Sequence, residues 1–143
     1  MEINELRIGN YVKFSDPING TNIYRVYYIA DYGNISSISL EGKGQLASCT
    51  VKDIEPIELT RDILINIGFK KGYNEIYSKT IKVDFYEYNI SYQNVKDNKY
   101  SFVAYGYKNG ELKRKMILNN IQYLHELQNV FFTFTNQELE IKL

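Results

Sequence analysis

The clearest hydrophobic period in the chain covers residues 124–135. Its apolar positions recur three and four residues apart, which lays one stripe along a helix: Leu124, Leu127, Val130, Phe131 and Phe134. Successive helix residues turn by about 100°, so a second set of side chains gathers on the opposite side: His125, Gln128, Asn129 and Phe132. The pattern predicts a helix over 124–135. Its apolar face needs a partner, and its other face carries the only histidine of the chain.

Residues 1–58 contain short runs in which apolar and polar residues alternate. In the strand predicted from Ile23 to Tyr32, alternate residues are expected to face one side of a sheet: Ile23, Arg25, Tyr27 and Ile29. The tripeptide Tyr32-Gly33-Asn34 then predicts a turn. Four to five short strands with tight turns within about fifty residues predict a small closed or half-closed β-barrel of the SH3-like kind.

Residues 59–69 are predicted to join two parts of the chain. Thr60 is suited to cap a short helix over 61–67, and Gly68 is suited to the left-handed position that ends it. A region of β signals alone gives way here to a mixed region. We therefore predict two domains, 1–58 and 59–143, packed against each other.

The C-terminal part continues with β signals over about 76–118. Residues 81–92 alternate as one strand, and Asn109-Gly110 predicts a type I′ hairpin, since both central residues of that turn need positive φ. A three- or four-stranded antiparallel meander results, and the helix over 124–135 is predicted to cover its apolar face. Asn136 suits the end of that helix, and residues 138–143 alternate as a final edge strand. The predicted fold class is α+β, with an N-terminal small SH3-like β-barrel packed on a C-terminal antiparallel sheet and a covering C-terminal helix.

The charge and cysteine content exclude several classes of protein. Basic and acidic residues number 17 each, so net charge gives no support for binding nucleic acid or an anionic membrane. Cys49 is the only cysteine, which excludes an internal disulfide, and with a single histidine the usual ligands of structural zinc are missing. The sequence shows neither a signal peptide nor an apolar stretch of membrane-spanning length, so a cytoplasmic protein without membrane association is predicted.

Aromatic residues are unusually frequent in this chain. It has 14 tyrosines and 7 phenylalanines but no tryptophan. Tyrosine is favoured on sheet faces and at interfaces, because its ring is buried while its hydroxyl stays in water. The tyrosines therefore indicate either exposed sheet faces or a tyrosine-rich binding surface.

Catalytic motifs are missing from the sequence. It contains no glycine-rich phosphate loop, no Gly-x-Ser-x-Gly elbow and no His-Glu-x-x-His motif. His125 and Glu126 are adjacent on the predicted helix and point about 100° apart, so they do not form a catalytic dyad through the helix itself. We predict a protein that is not an enzyme and uses no cofactor or metal.

Two polar clusters remain as candidates for binding. The first is the face formed by His125, Gln128, Asn129 and Phe132, which is either a recognition site or a surface packed against the barrel or a second chain. The second is the only basic run, Lys113-Arg114-Lys115. In a strand Arg114 points away from its two neighbours, which favours a solvated edge over a phosphate-binding patch.

Three blocks of sequence carry a family resemblance. They are Asn4–Val12 (NELRIGNYV), Ile54–Thr60 (IEPIELT) followed by Gly68-Phe69, and Tyr123–Phe132 (YLHELQNVFF). In these blocks the chain resembles a family of small uncharacterised proteins from gut Bacteroidota and their prophages, phages and other mobile elements. Asn136 stands where the family usually has glycine. The resemblance implies no activity; it implies an intracellular accessory protein of phage or mobile-element type, located in the bacterial host cell or in the virion.

Three functions stand as hypotheses. The first is a non-enzymatic accessory protein that binds another protein, or a second copy of itself, through tyrosine-rich sheet surfaces, as a virion component or an inhibitor of a host factor. The second is a protein that binds a small, nucleotide-like signal in a pocket lined by His125, Asn129 and tyrosines. The third is a nucleic-acid-binding module that uses the barrel, which the charge balance favours least.

Overall fold

The computed structural model describes residues 1–18, 20–31, 36–42, 44–96 and 99–142, with the backbone alone at residues 31, 36, 94–96, 99 and 100. The chain divides into two compact units. Unit 1 comprises Met1–Glu58 and Tyr123–Asn129, and unit 2 comprises Leu59–Gln122 and Val130–Leu143. The predicted division places residues 123–129 in the C-terminal domain, whereas the structure groups them with unit 1.

Unit 1 contains one antiparallel sheet whose strands follow the order β4-β3-β2-β1-β5. The strands are β1 (Tyr11–Asp16), β2 (Gly20–Asp31), β3 (Ser36–Gly42), β4 (Gln45–Cys49) and β5 (Ile54–Glu55). Short 3-10 helices cover Ile3–Glu5 and Val51–Asp53. Side chains from one face of the sheet form a buried apolar core together with Leu6, which lies before β1: Val12, Phe14, Tyr24, Val26, Ile38, Leu40 and Ile54. Hydrophobic burial on one face therefore holds this sheet together.

The sheet of unit 1 is not closed. β5 returns to pair with β1 through Lys13 and Phe14, but among the described residues no ladder joins β5 to β4. β5 ends at Glu55, and Pro56, which has no N–H to donate, follows it. The α+β class is confirmed for the protein, while the predicted SH3-like barrel, closed or half-closed, is not confirmed because the sheet does not close.

A β-bulge changes the predicted alternation of β2. Val26 pairs with Leu40 and Tyr28 with Ser39, so the register shifts at Tyr27. Tyr27 and Tyr28 are both exposed, whereas Ile29 packs against the core. The predicted common face of residues 23, 25, 27 and 29 is therefore wrong beyond the bulge, because one extra residue reverses the side chains that follow. The turn predicted at residues 32–34 lies outside the described residues.

Unit 2 contains a second antiparallel sheet, with the order β10-β9-β8-β7-β6. Its elements are α1 (Arg61–Asn66), β6 (Lys70–Lys71), β7 (Ile76–Val83), β8 (Tyr86–Lys96), β9 (Lys99–Lys108), β10 (Glu111–Asn119) and the end of α2 (Leu124–Thr135). The buried side chains of β7, β8 and β9 lie on one face, called here the inner face: Tyr77, Tyr88, Ile90, Tyr92, Phe102 and Ala104. Phe134 of α2 meets Tyr88 edge to face, with ring centroids 5.3 Å apart.

The ends of α1 follow the sequence signals. The Thr60 hydroxyl accepts a hydrogen bond from the Ile63 N–H, and Gly68 has φ of +88°. The Gly68 N–H donates to the Ile65 carbonyl and the Phe69 N–H to the Leu64 carbonyl. This pair of bonds is a Schellman motif, which satisfies the free carbonyls at the end of the helix.

The strand predicted over residues 81–92 is two strands. β7 ends at Val83, which pairs with Tyr86 at the start of β8, and Asp84 and Phe85 form the turn between them. Asp84 has φ of 52°, a left-handed conformation that aspartate tolerates better than most residues. The prediction is wrong because the alternation continues through a turn that contains neither glycine nor proline. The meander predicted over about 76–118 therefore has four strands, β7 to β10, and β6, which lies before it, makes the fifth strand of the sheet.

The predicted edge strand over 138–143 is also not present. Residues 138–142 form no strand, and Leu143 lies outside the described residues. Leu139 is buried between the exposed Glu138 and Glu140, so the alternation reflects the burial of one side chain and not pairing in a ladder. Asn136, with φ of 58°, takes the left-handed position after α2 as predicted.

Candidate functional site

Gln128 binds the turn that leads into β1. Its side-chain oxygen accepts a hydrogen bond from the Tyr11 N–H at 2.9 Å, and its amide nitrogen donates to the Gly9 carbonyl at 3.1 Å. The side chain is 1% exposed. Buried backbone groups need such partners, so Gln128 satisfies two main-chain groups that have left water. Its role in unit 1 is structural.

Asn129 binds the same N-terminal segment. Its Oδ1 accepts from Asn10 Nδ2 at 2.9 Å and from Arg7 Nε at 3.3 Å, while its Nδ2 donates to the Glu5 carbonyl at 2.8 Å. Asn10 is fully buried, and its own Oδ1 accepts from the Arg7 N–H. The two helix amides therefore fasten residues 5–11, and we call Gln128, Asn129, Asn10 and Arg7 the amide clamp.

The start of α2 is fixed within unit 1. The Leu124 N–H donates to the Ile57 carbonyl at 2.8 Å, and the Glu126 carboxylate accepts from the Tyr123 N–H at 3.0 Å. Glu58 and Tyr123 form an isolated antiparallel bridge. These contacts place the first two turns of α2 so that Gln128 and Asn129 reach the N-terminal segment.

His125 is buried in unit 1 and closed to solvent. It is 2% exposed, and its ring stacks on Tyr123 with centroids 5.9 Å apart and planes 13° apart. Nδ1 has no hydrogen-bond partner among the described residues. Burial lowers the pKa of this imidazole below its ordinary 6.5, although the carboxylates of Glu126 and Glu5 act in the opposite direction. A buried neutral ring of this kind is unsuited to reach a ligand.

The buried histidine predicts a stability that depends on pH. In the unfolded chain His125 takes up a proton near pH 6.5. In the folded protein burial lowers the pKa of His125, so the imidazole stays neutral to a lower pH. The free energy of unfolding should therefore be fully retained above about pH 6.5 and decline as the pH falls from there towards the lowered pKa. In urea titrations between pH 7.5 and 5.5, His125→Phe should show a smaller decline than the wild type. Equal declines in both proteins would contradict this assignment.

Phe132 completes the set of residues that the sequence analysis singles out. It is half-buried, and it lies on the part of α2 that belongs to unit 2. The structure thus brings His125, Gln128 and Asn129 together in unit 1, where they are mostly buried, and places Phe132 in the other unit. The polar face of the helix binds the chain's own backbone.

The face of the unit 2 sheet opposite the inner face carries aromatic and aliphatic side chains. Val103 pairs with Ile117, Tyr105 with Lys115 and Tyr107 with Leu112, so these side chains point to one side. Leu112 and Ile117 are each 51% exposed, and the Val103, Tyr105 and Tyr107 side chains are half-buried. The Lys115 ammonium lies 5.7 Å from the centre of the Tyr105 ring. We call Val103, Tyr105, Tyr107, Leu112 and Ile117 the outer strip.

A groove lies at one end of this sheet, beside two hairpin turns. Its volume is about 420 Å³, and it is lined by Lys82, Asp84, Phe85, Tyr86, Glu87, Asn89, Tyr107, Asn109 and Gly110. Phe85 at its rim is 78% exposed, and Lys82 and Glu87 form an ion pair at 3.5 Å. Asn109 and Gly110 have φ of 53° and 79°, as the predicted type I′ turn requires. The groove escapes sequence analysis because its other hairpin depends on the unrecognised turn at Asp84.

The basic run on β10 is divided among separate partners. Lys113 pairs with Glu111 at 2.6 Å, whereas Arg114 lies over the Tyr86 ring and donates to the Phe134 carbonyl. Lys115 points to the other face, over Tyr105. The three cations therefore do not converge on one point, as a phosphate site would require.

Metal binding and nucleophilic catalysis find little support in the described part of the chain. It holds no group of three or more histidine, cysteine, aspartate or glutamate residues placed to bind a metal. Burial, together with the negative charge of Asp53, raises the pKa of Cys49 to about 11, so this thiol is not an activated nucleophile. In the same residues no helix is both long enough and apolar enough to span a membrane.

Comparison with known proteins adds no relative to these observations. No protein-family model, curated protein or solved structure matches the chain. The family resemblance of the three sequence blocks therefore stays a prediction, and a functional assignment has to rest on the geometry of the residues themselves.

Proposed function

We propose that this chain is a non-enzymatic accessory protein that acts by binding another protein through the outer strip of unit 2. The observation that carries the proposal is the exposure of aliphatic and aromatic side chains side by side on one sheet face. Single exposed apolar residues are common, but a contiguous group rimmed by polar residues is typical of interaction sites. Tyrosine is enriched at such sites because its ring contributes contact area and its hydroxyl a hydrogen bond.

The difference in exposure between the polar face of α2 and the outer strip supports the outer strip as the binding surface. Gln128 and Asn129 hydrogen-bond to the protein's own segment 5–11, and His125 is closed to solvent. By contrast, Leu112 and Ile117 leave half of their surface in water. A partner that covered them would gain the free energy of removing apolar surface from water, about 25 cal/mol per Å².

Unit 1 is assigned a supporting role within this proposal. The return of β5 to pair with β1 supports a half-closed barrel of the SH3-like kind, although no ladder closes it. In the setting that the family resemblance implies, the protein works in the bacterial cytoplasm or the virion as a phage or mobile-element factor. A virion component and an inhibitor of a host factor both fit a protein-binding surface of this type.

Site-specific photo-crosslinking in cells that naturally make the protein tests the proposal. A photo-reactive phenylalanine derivative in place of Tyr105 should yield a discrete crosslinked protein. The matched control carries the same derivative in place of Tyr73, which is 94% exposed in unit 2 but lies outside the outer strip. Equal products from both positions, or no product from position 105, would contradict the proposal.

A small-ligand function has one observation in its favour, the groove beside Phe85. A ring that is 78% exposed at the rim of a groove, next to the amides of Asn89 and Asn109, is suited to a flat ligand with polar edges. This site differs from the predicted pocket around His125. A small molecule retained in native mass spectrometry by the wild type and lost in Phe85→Ala would favour this second function.

A further inference from the structure

β10 is an unusually open edge of the unit 2 sheet. It runs for nine residues, and all of them are exposed except the half-buried Met116. β9 pairs with one side of it, and among the described residues no strand pairs with the other side. The opposite edge of the sheet, β6, has only two residues. A long exposed edge offers a row of backbone groups to a further strand, and proteins commonly protect such edges.

The two halves of β10 differ in this protection. Residues 111–115 carry four charged side chains, and the register is irregular between Leu112 and Arg114. Charges and bulges of this kind discourage the addition of another strand. Residues 116–119 are uncharged and pair regularly with β9, and they expose 51% of Ile117 and 38% of Leu118. The part of the edge open to pairing is therefore residues 115–119, which lie beyond the irregularity and carry a single charge, on Lys115.

We propose that residues 115–119 pair in antiparallel fashion with the same residues of a second copy of this chain. The inference rests on the proposed function, since it names one protein partner for the sheet of unit 2. A two-fold axis between antiparallel strands stands perpendicular to the sheet. Residues directly opposite each other then point to the same face only if one residue position lies at the axis and faces its own copy. If the axis falls between two residues, opposite side chains point to different faces.

The charges along β10 and the end of the strand together select which residue lies at that axis. With Leu118 at the axis, Met116 would face Asn120, which lies beyond the end of β10 at Asn119. With Ile117 at the axis, Ile117 faces Ile117 of the second copy, Met116 faces Leu118, and Lys115 faces the uncharged Asn119. With Lys115 or Arg114 at the axis, like charges would lie directly opposite each other, which destabilises a strand pair. With Met116 at the axis, Lys115 would face the apolar Ile117. The register centred on Ile117 groups the apolar residues and opposes no like charges.

This pairing would extend the binding surface of the proposed function. Two five-stranded sheets joined at β10 make one sheet of ten strands (5 + 5). Because the axis is perpendicular to the sheet, the outer strips of both copies lie on the same side. A continuous aromatic and aliphatic face would then run across the junction, with Ile117 at its centre.

The test measures the mass of the full chain by light scattering over a series of concentrations. The wild type should form a dimer, and Ile117→Lys should weaken it by about tenfold or more, since it replaces an apolar contact with two like charges at the axis. Leu112→Lys is the matched control, because Leu112 has the same 51% exposure on the same face and strand but lies outside the pairing. This variant should remain dimeric.

Mixing two variants tests the register itself. At a concentration where the wild type is dimeric and Ile117→Lys and Ile117→Glu are each monomeric, their equimolar mixture should dimerise, because position 117 faces itself across the axis. A monomeric wild type, equal weakening by Leu112→Lys, or a mixture that stays monomeric would overturn the proposal. Each of these results would leave a crosslink from position 105 to a different protein unaffected. Failure of the pairing is therefore distinguishable from failure of the proposed function.

Discussion

Replacing Gln128 by leucine should lower the free energy of unfolding by about 2–5 kcal/mol. The substitution removes the acceptor for the Tyr11 N–H and the donor for the Gly9 carbonyl, and a buried backbone group left without a partner costs about 1–3 kcal/mol. Gln128→Glu keeps an acceptor for the Tyr11 N–H but places an oxygen against the Gly9 carbonyl. This variant should therefore also lower the free energy of unfolding. Urea denaturation followed by circular dichroism measures both effects.

Gln137→Leu is the matched control for this experiment. Gln137 is exposed just beyond α2, so the same change of side chain should alter the free energy of unfolding by less than about 0.5 kcal/mol. If Gln128→Leu were as mild as this control, the amide clamp would not stabilise unit 1, and the polar face of α2 would again be a candidate for ligand binding.

Replacing Tyr92 by alanine should cost about 3–5 kcal/mol, because a large buried aromatic side chain is lost from the inner face of unit 2. Tyr92 is fully buried, and its hydroxyl donates to the Ile121 carbonyl at 2.6 Å. Tyr92→Phe keeps the ring and removes only the donor, so it should cost about 1–3 kcal/mol. The difference between the two variants separates packing from hydrogen bonding, and urea denaturation at pH 7.5 measures both.

Tyr73→Ala serves as the control for the tyrosine series. Its ring is 94% exposed, so its removal should change the free energy of unfolding by less than about 0.5 kcal/mol. Tyr92→Phe with no measurable loss would show that the Ile121 carbonyl finds another partner. The segment between β10 and α2 would then be held by packing alone.

Elements with strong local signals were predictable from the sequence. The period over 124–135, the cap residues Thr60 and Gly68, and the Asn109-Gly110 turn all depend on residues within a few positions of each other. The bulge at Tyr27 and the turn at Asp84 carry no such signal, because the pairing of neighbouring strands sets the register there. Local chemistry thus predicts the elements better than their registers.

The candidate site shows the same division. The helical period predicts which side chains share the polar face of α2, but not what that face contacts. Gln128 and Asn129 bind residues 5–11, more than a hundred positions away in the sequence. The segments 4–12 and 123–129, which belong to two of the blocks that carry the family resemblance, are joined by these bonds. The polar residues of these two segments therefore have a structural role in unit 1.

The outer strip could not be assigned from the sequence for a related reason. Alternation over 100–107 separates Tyr105 and Tyr107 from Phe102 and Ala104, but it does not say which set is covered. The structure buries Phe102 and Ala104 on the inner face and leaves the tyrosines half-buried on the outer face. Burial depends on the aromatic residues of β7, β8 and α2 that pack against one side.

The central claim is that the sheet of unit 2, and not the polar face of α2, is the surface by which this protein associates. Peptide-resolved hydrogen–deuterium exchange of the full chain at low and high protein concentration tests it most directly. We predict that backbone amides within 115–119 exchange more slowly at high concentration, while those of 5–11 and 123–129 do not change. Slower exchange confined to 5–11 and 123–129 would contradict the account, whereas no dependence on concentration at 115–119 would overturn the pairing at β10 alone.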